Sequence, residues 1–155
     1  MKIGRRGSMT GYVSAVGVQG HSAYPQRAKN PMSALVRFLA RLEAVPLDQG
    51  TAHFDASTLA ITTIDCGNPA TTVIPARGQA TVNVRFNDSH SGASLTDWLR
   101  GHAAAVAAET GVEMAVRVVV SGDSFLTPPG ELQRFQAIEA AKWGAVIRAA
   151  GIQPE

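Results

Sequence analysis

The chain has 155 residues, of which 45% are hydrophobic and 17% charged, enough for one ordinary globular domain with a sizeable core. Its formal net charge of +2 comes from scattered arginines and not from a basic block, which argues against a nucleic-acid partner, and no apolar run is long enough to cross a bilayer. Cys66 is the only cysteine, so no internal disulfide can form and a reducing cytoplasm is the expected compartment.

Met1 leads straight into Lys2-Ile3-Gly4-Arg5-Arg6, with no signal peptide ahead of the first strand, which reads like a cut inside a longer protein. From Met9 to Val18 small or apolar residues alternate with polar ones, the pattern of a half-buried strand. Gly17 and Gly20 are expected to turn the backbone through angles that a side chain forbids, so that His21 stands out at the strand tip. Asn30 is an N-cap and Pro31 a first helical residue, and Met32, Leu35, Phe38, Leu39 and Leu42 share one face of a helix over residues 31–45. Residues 47–56 read as a loop, with His53 exposed.

A second strand covers residues 57–65, with Leu59, Ile61 and Thr63 on one face, and Cys66-Gly67-Asn68-Pro69 is a turn in which Cys66 serves as a small apolar filler. In the third strand Ala80, Val82, Val84 and Phe86 face one way and Thr81, Asn83 and Arg85 the other. A second helix is predicted from Leu95 to Thr110, opened by a Ser94/Asp97 capping box and closed by Gly111. Its buried stripe is Leu95, Trp98, Leu99 and Val106, with Ala103 filling in. Alternating valines from Val112 to Val120 give the fourth strand, and Leu132, Phe135, Ile138 and Ile147 mark a third helix over residues 131–150.

The order β-α-β-β-α-β predicts an α+β, ferredoxin-like two-layer sandwich: a four-stranded antiparallel sheet with two helices on one face, plus an extra C-terminal helix without a partner. His21, His53, His90 and His102 have no carboxylates at ligand spacing, so the chain is not expected to hold a metal. Nucleophile-elbow and phosphate-loop motifs are also missing.

Gly17-Val18-Gln19-Gly20-His21-Ser22-Ala23-Tyr24-Pro25, then Asn30-Pro31, then Ala70-Thr71-Thr72-Val73-Ile74-Pro75, together resemble the inserted domain of one family. It is the di-zinc amidohydrolases and peptidases that include aminoacylase, carboxypeptidase G and succinyl-diaminopimelate desuccinylase. Residues 2–8 and the stretch Gly122-Asp123-Ser124-Phe125-Leu126-Thr127-Pro128 most resemble the desuccinylase branch. The resemblance implies hydrolysis of N-succinyl-diaminopimelate to succinate and diaminopimelate by the whole enzyme, with two zinc (or cobalt) ions held by a catalytic domain absent from this chain. It further implies a homodimer, a small-molecule substrate, and an inactive chain in isolation.

By the same resemblance, residues 1–7 are a hinge remnant, residues 8–122 the dimerisation and lid domain, and residues 123–155 a linker and helix of the catalytic domain. His21 would donate a hydrogen bond to the reaction's oxyanion across the dimer, which a neutral imidazole can do. Arg6 and Ser8 would hold substrate carboxylates, and Arg85 would add a planar, bidentate clamp. Thr72 stands where the family usually has Asn; its hydroxyl is shorter and offers one donor instead of two, implying a different contact or another substrate.

Two other functions share this topology. A regulatory small-molecule module would be stabilised by its ligand. An RNA-binding sheet would need outward aromatics, yet the strands carry only Tyr12 and Phe86, the latter in line with core valines.

Overall fold

The protein is described here by a computed structural model, covering residues 4–127 and 130–149. It divides into two units, Arg6–Ser124 and a second built from the segments on either side of it.

In chain order the strands are β1 (Gly4–Arg5), β2 (Gly7–Val16), β3 (Gly20–His21), β4 (Thr58–Asp65), β5 (Val73–Ile74), β6 (Arg77–Phe86), β7 (Glu113–Gly122) and β8 (Phe125–Leu126). The helices are α1 (Pro31–Glu43), α2 (Gly92–Thr110) and α3 (Glu131–Ala149), with a 3₁₀ turn at Pro25–Arg27.

Within the larger unit the long strands form one antiparallel sheet in the order β4-β6-β2-β7. This is the ferredoxin-like sandwich expected from the sequence. Period-two patterning decides which way each strand faces. Met9, Val13 and Ala15 of β2 and Ala80, Val82, Val84 and Phe86 of β6 are buried beneath the helices. Tyr12, Ser14, Arg85 and Thr58 look out from the other, uncovered face.

Asn30 Oδ1 accepts the Met32 N–H at 3.0 Å, and Pro31 takes the first helical position. The apolar stripe of α1, Leu35, Phe38, Leu39 and Leu42, then seals onto the sheet beside Leu95, Leu99, Ala103 and Val106 of α2. Each large side chain buried this way contributes roughly 1.5–3 kcal/mol. Trp98 and Met32 are only half-buried, at the edge of the stripe.

Several local expectations change. α2 starts earlier than Leu95: Ser91 is its N-cap, and the reciprocal box is made with Ser94, not by Ser94 with Asp97. Its end is as expected, Gly111 sitting at φ +65° with its N–H on Ala107 O. In β4 a register shift between Ile61 and Thr63 puts Ile64, not Thr63, opposite Ala80. Cys66 is exposed and fills no core.

Gly17 and Gly20 are absent from the positive-φ residues, so backbone angle is not their reason. Space is. A Cβ on Gly17 would lie 1.9 Å from the Lys29 carbonyl oxygen, and one on Gly20 would lie 2.7 Å from Ala28 Cβ.

In the smaller unit β1 pairs antiparallel with β8, Gly4 opposite Leu126 and Arg5 opposite Phe125. The Arg5 guanidinium stacks 5.7 Å from the Phe125 ring centre. Along α3, Phe135, Ile138, Trp143 and Ile147 are exposed. The expected part played by Leu132 and Ala150 in that helix, and residues 1–3 of the expected hinge, lie outside the described residues. No helix among the described residues is long and apolar enough to cross a membrane.

Candidate functional site

The turn after β2 is built by close backbone approach. Gly17 N–H donates to Ala76 O at 2.9 Å, and Val18 and Lys29 exchange hydrogen bonds of 2.9 and 3.0 Å. Freed from the main sheet, the chain runs on as β3, where Gly20 faces Ile74 and His21 faces Val73. Ser22 N–H then donates to Thr72 O at 2.9 Å. His21, opposite Val73, and Thr72, bonded to Ser22, therefore lie one residue apart in register on the same two-stranded projection.

His21 is exposed. Its Nδ1 accepts the Ala23 N–H at 3.1 Å and its carbonyl accepts the Tyr24 N–H at 2.9 Å. An imidazole whose Nδ1 is an acceptor carries its proton, when neutral, on Nε2. The Tyr24 ring lies 6.1 Å away, itself capped by the Arg27 guanidinium at 5.4 Å.

The carboxylate-binding candidates lie elsewhere. Ser8 and Arg85 are directly opposed on β2 and β6, and their side chains share the uncovered face. Arg6 is half-buried and its Nη1 donates to Ala56 O at 3.1 Å, so part of its fork tethers the loop before β4. The Ser8–Arg85 pair is at one end of the β2–β6 ladder, whereas Val16 pairs with Arg77 at the end from which His21 departs. At about 3.3 Å per residue those ends are on the order of 26 Å apart. One copy of this chain brings His21 to Thr72 and Ser8 to Arg85, but does not bring the two pairs together.

A polar cluster invisible to sequence spacing joins three loops. Asp48 Oδ1 accepts from Gly50 N at 2.7 Å, Ser57 N at 3.1 Å and Asn87 Nδ2 at 2.7 Å. Its Oδ2 lies 3.1 Å from His90 Nε2. Burial pushes this carboxyl up, but hydrogen bonds from Ser57, Gly50 and Asn87 outweigh it and hold the pKa at about 2. His90 thus has a carboxylate partner after all.

Two groups do not make a metal centre. Among the described residues, no three His, Cys, Asp or Glu side chains come close enough to hold an ion. A cleft of about 460 Å³ between the ends of α1 and α2 is lined by Arg41, His90, Ser94, Trp98 and His102. Its polar groups are largely committed: Arg41 to Glu109 at 2.6 and 2.8 Å, His90 to Asp48, and Ser94 to the α2 cap.

Asn68 was readable only as a turn residue. An Asn bonding to the backbone two residues on is a known local pattern, and that signal was present in Asn68-Pro69-Ala70.

Residues 3–111 match the family described as the peptidase dimerisation domain. A succinyl-diaminopimelate desuccinylase of Cereibacter sphaeroides is 63% identical over 155 residues, which are all of this chain and 39% of that protein. One from Dinoroseobacter shibae is 66% identical over 132 residues, 85% of this chain and 35% of the relative. Among solved structures, a hydantoinase/carbamoylase-family amidase from Burkholderia multivorans superposes with a TM-score of 0.70 at 20% identity, over 92% of this chain and 34% of its own. A tripeptidase from Staphylococcus aureus gives a TM-score of 0.66 at 18% identity, over 92% of this chain and 36% of its own. The chain spans well under half the length of the curated relatives it matches, and it belongs to the peptidase dimerisation domain family.

Proposed function

We propose that this chain is the dimerisation and lid portion of a cytoplasmic di-zinc amide hydrolase that cleaves N-succinyl-diaminopimelate to succinate and diaminopimelate, a step of lysine biosynthesis. The segments 1–7 and 123–155 belong with the catalytic portion, which supplies the ligands for two zinc or cobalt ions. The identity to proteins named as desuccinylases supports the activity.

One observation carries the role: His21 is exposed on its own projection, with Nδ1 engaged, at the opposite end of the ladder from Ser8 and Arg85. A single subunit cannot close these groups on one small substrate. Two subunits related by a twofold axis can, each offering His21 to its neighbour. His21 then donates from Nε2 to the oxyanion of the tetrahedral intermediate. Ser8, Arg85 and the uncommitted donors of Arg6 receive carboxylates, with Thr72 beside His21 at the substrate's edge. When bound, the metal pair supplies the activated water.

The test is complementation in the full-length protein. His21→Ala homodimers should lose a hundred- to a thousandfold in kcat, the usual cost of one oxyanion donor. Mixing them with a subunit crippled in its metal site should restore part of the activity, because each hybrid dimer keeps one complete composite site. No recovery on mixing, with hybrids shown to form, would refute action across the dimer. The chain alone should self-associate in light scattering and hydrolyse nothing, with or without added zinc.

A further inference from the structure

The projection that carries His21 has little apolar support. Residues 21–27 are all exposed, as are residues 65–67 and 69–72. A segment of this kind is held by its hydrogen bonds and not by burial. Asn68, half-buried, makes three of them: Nδ2 donates to Val73 O at 2.8 Å and to Ala70 O at 3.2 Å, and Oδ1 accepts the Ala70 N–H at 3.1 Å. Val73 is the residue directly opposite His21. Thr72, between Ala70 and Val73, accepts the Ser22 N–H. The Asn68 amide thus braces the strand paired with β3, while on the β3 side the Ala23 N–H reaches the His21 Nδ1 two residues back.

We propose that Asn68 is a positioning residue for His21. By folding residues 68–73 it sets the β3–β5 register, which lets the Ala23 amide hold the ring as the Nε2–H tautomer. His21 is thereby presented as a donor and not as a base. The catalytic consequence rests on the reading of His21 given above; the tautomer does not.

Long-range ¹H–¹⁵N spectra of the imidazoles in this chain read the tautomer directly. Wild type should show His21 with Nδ1 unprotonated and Nε2 protonated. Asn68→Ala should move the ring toward a mixture of tautomers and shift the Ala23 amide. Asn68→Asp keeps the acceptor but loses both donors and should do the same. Thermal midpoints should stay within a few degrees of wild type, since the sandwich core is untouched. In the full-length protein both variants should lower kcat about tenfold or more with KM nearly unchanged, the mark of a displaced catalytic group.

A wild-type ring protonated on Nδ1, or ring signals unmoved in both variants, would overturn the proposal. If instead His21→Ala leaves turnover intact while the ring responds as described, the positioning role stands and the catalytic reading of His21 falls.

Discussion

Asp48 and His90, 42 residues apart in sequence, meet with Oδ2 3.1 Å from Nε2. The carboxylate also accepts from Gly50, Ser57 and the buried Asn87, so one side chain ties the loop after α1 to the ends of β4 and β6. Asp48→Asn puts a donor where these acceptor contacts were and should cost roughly 2–3 kcal/mol at neutral pH. The pKa held at about 2 gives the contribution its pH window. A carboxyl lowered from 3.8 stabilises the fold above that value and loses its effect as pH falls through 2. Denaturant melts between pH 6 and pH 2 should therefore show wild type and variant converging toward acid.

Gly17 and Gly101 make opposite predictions. A methyl on Gly17 would drive into the Lys29 carbonyl, so Gly17→Ala should destabilise by roughly 1–3 kcal/mol and disorder the β2–β3 link. Gly101 lies inside α2 with nothing within 4 Å of its missing Cβ. Gly101→Ala should stabilise by about 0.5–1 kcal/mol. Chemical denaturation of the two variants checks both signs at once.

The caps of α1 and α2 are separable contributions. Asn30→Ala removes the acceptor for Met32 N–H and should cost about 1 kcal/mol. Gly111→Ala forces a β-carbon into φ +65° and should cost about 1 kcal/mol as well. Lys29, next to Asn30, reaches within 3.5 Å of where a Cβ on Gly111 would lie, so a double-mutant cycle reads any coupling between the two caps.

Leu99 is fully buried where α2 meets β2. Leu99→Ala should cost about 2–5 kcal/mol, with the value set by how far the cavity collapses. Urea melts at fixed m-value would report it as a pure shift in midpoint.

The sandwich was largely legible because its signals are local and mutually consistent. Val82, Val84 and Phe86 alternate with Asn83 and Arg85 at period two, and Leu35, Phe38 and Leu42 recur at helical spacing. The misreadings occurred where tertiary contact overrides a local rule. The β4 bulge sets Ile64 opposite Ala80 in place of Thr63 yet leaves it exposed, and nothing in Thr-Thr-Ile announces it. Gly17 and Gly20 were rightly singled out, but for backbone freedom; the Lys29 carbonyl and the Ala28 methyl that require them come from the far side of a turn. The site was legible by residue and not by arrangement. His21 and Thr72 were named separately, and only the β3–β5 pairing with the Ser22–Thr72 bond beside it brings them onto one projection. The pairing of His90 with Asp48 is not readable, because spacing along a chain carries no trace of a contact made by two loops.

The pairing of Gly4 with Leu126 and Arg5 with Phe125 has an architectural consequence. The polypeptide enters and leaves the sandwich through one doorway, its two threads about a strand's separation apart, near 4.8 Å. A cassette with such a doorway can be spliced into a single surface loop of a host without prying that host open. Its internal order, from Arg6 to Ser124, can then be kept, exchanged or redesigned as a sealed cartridge.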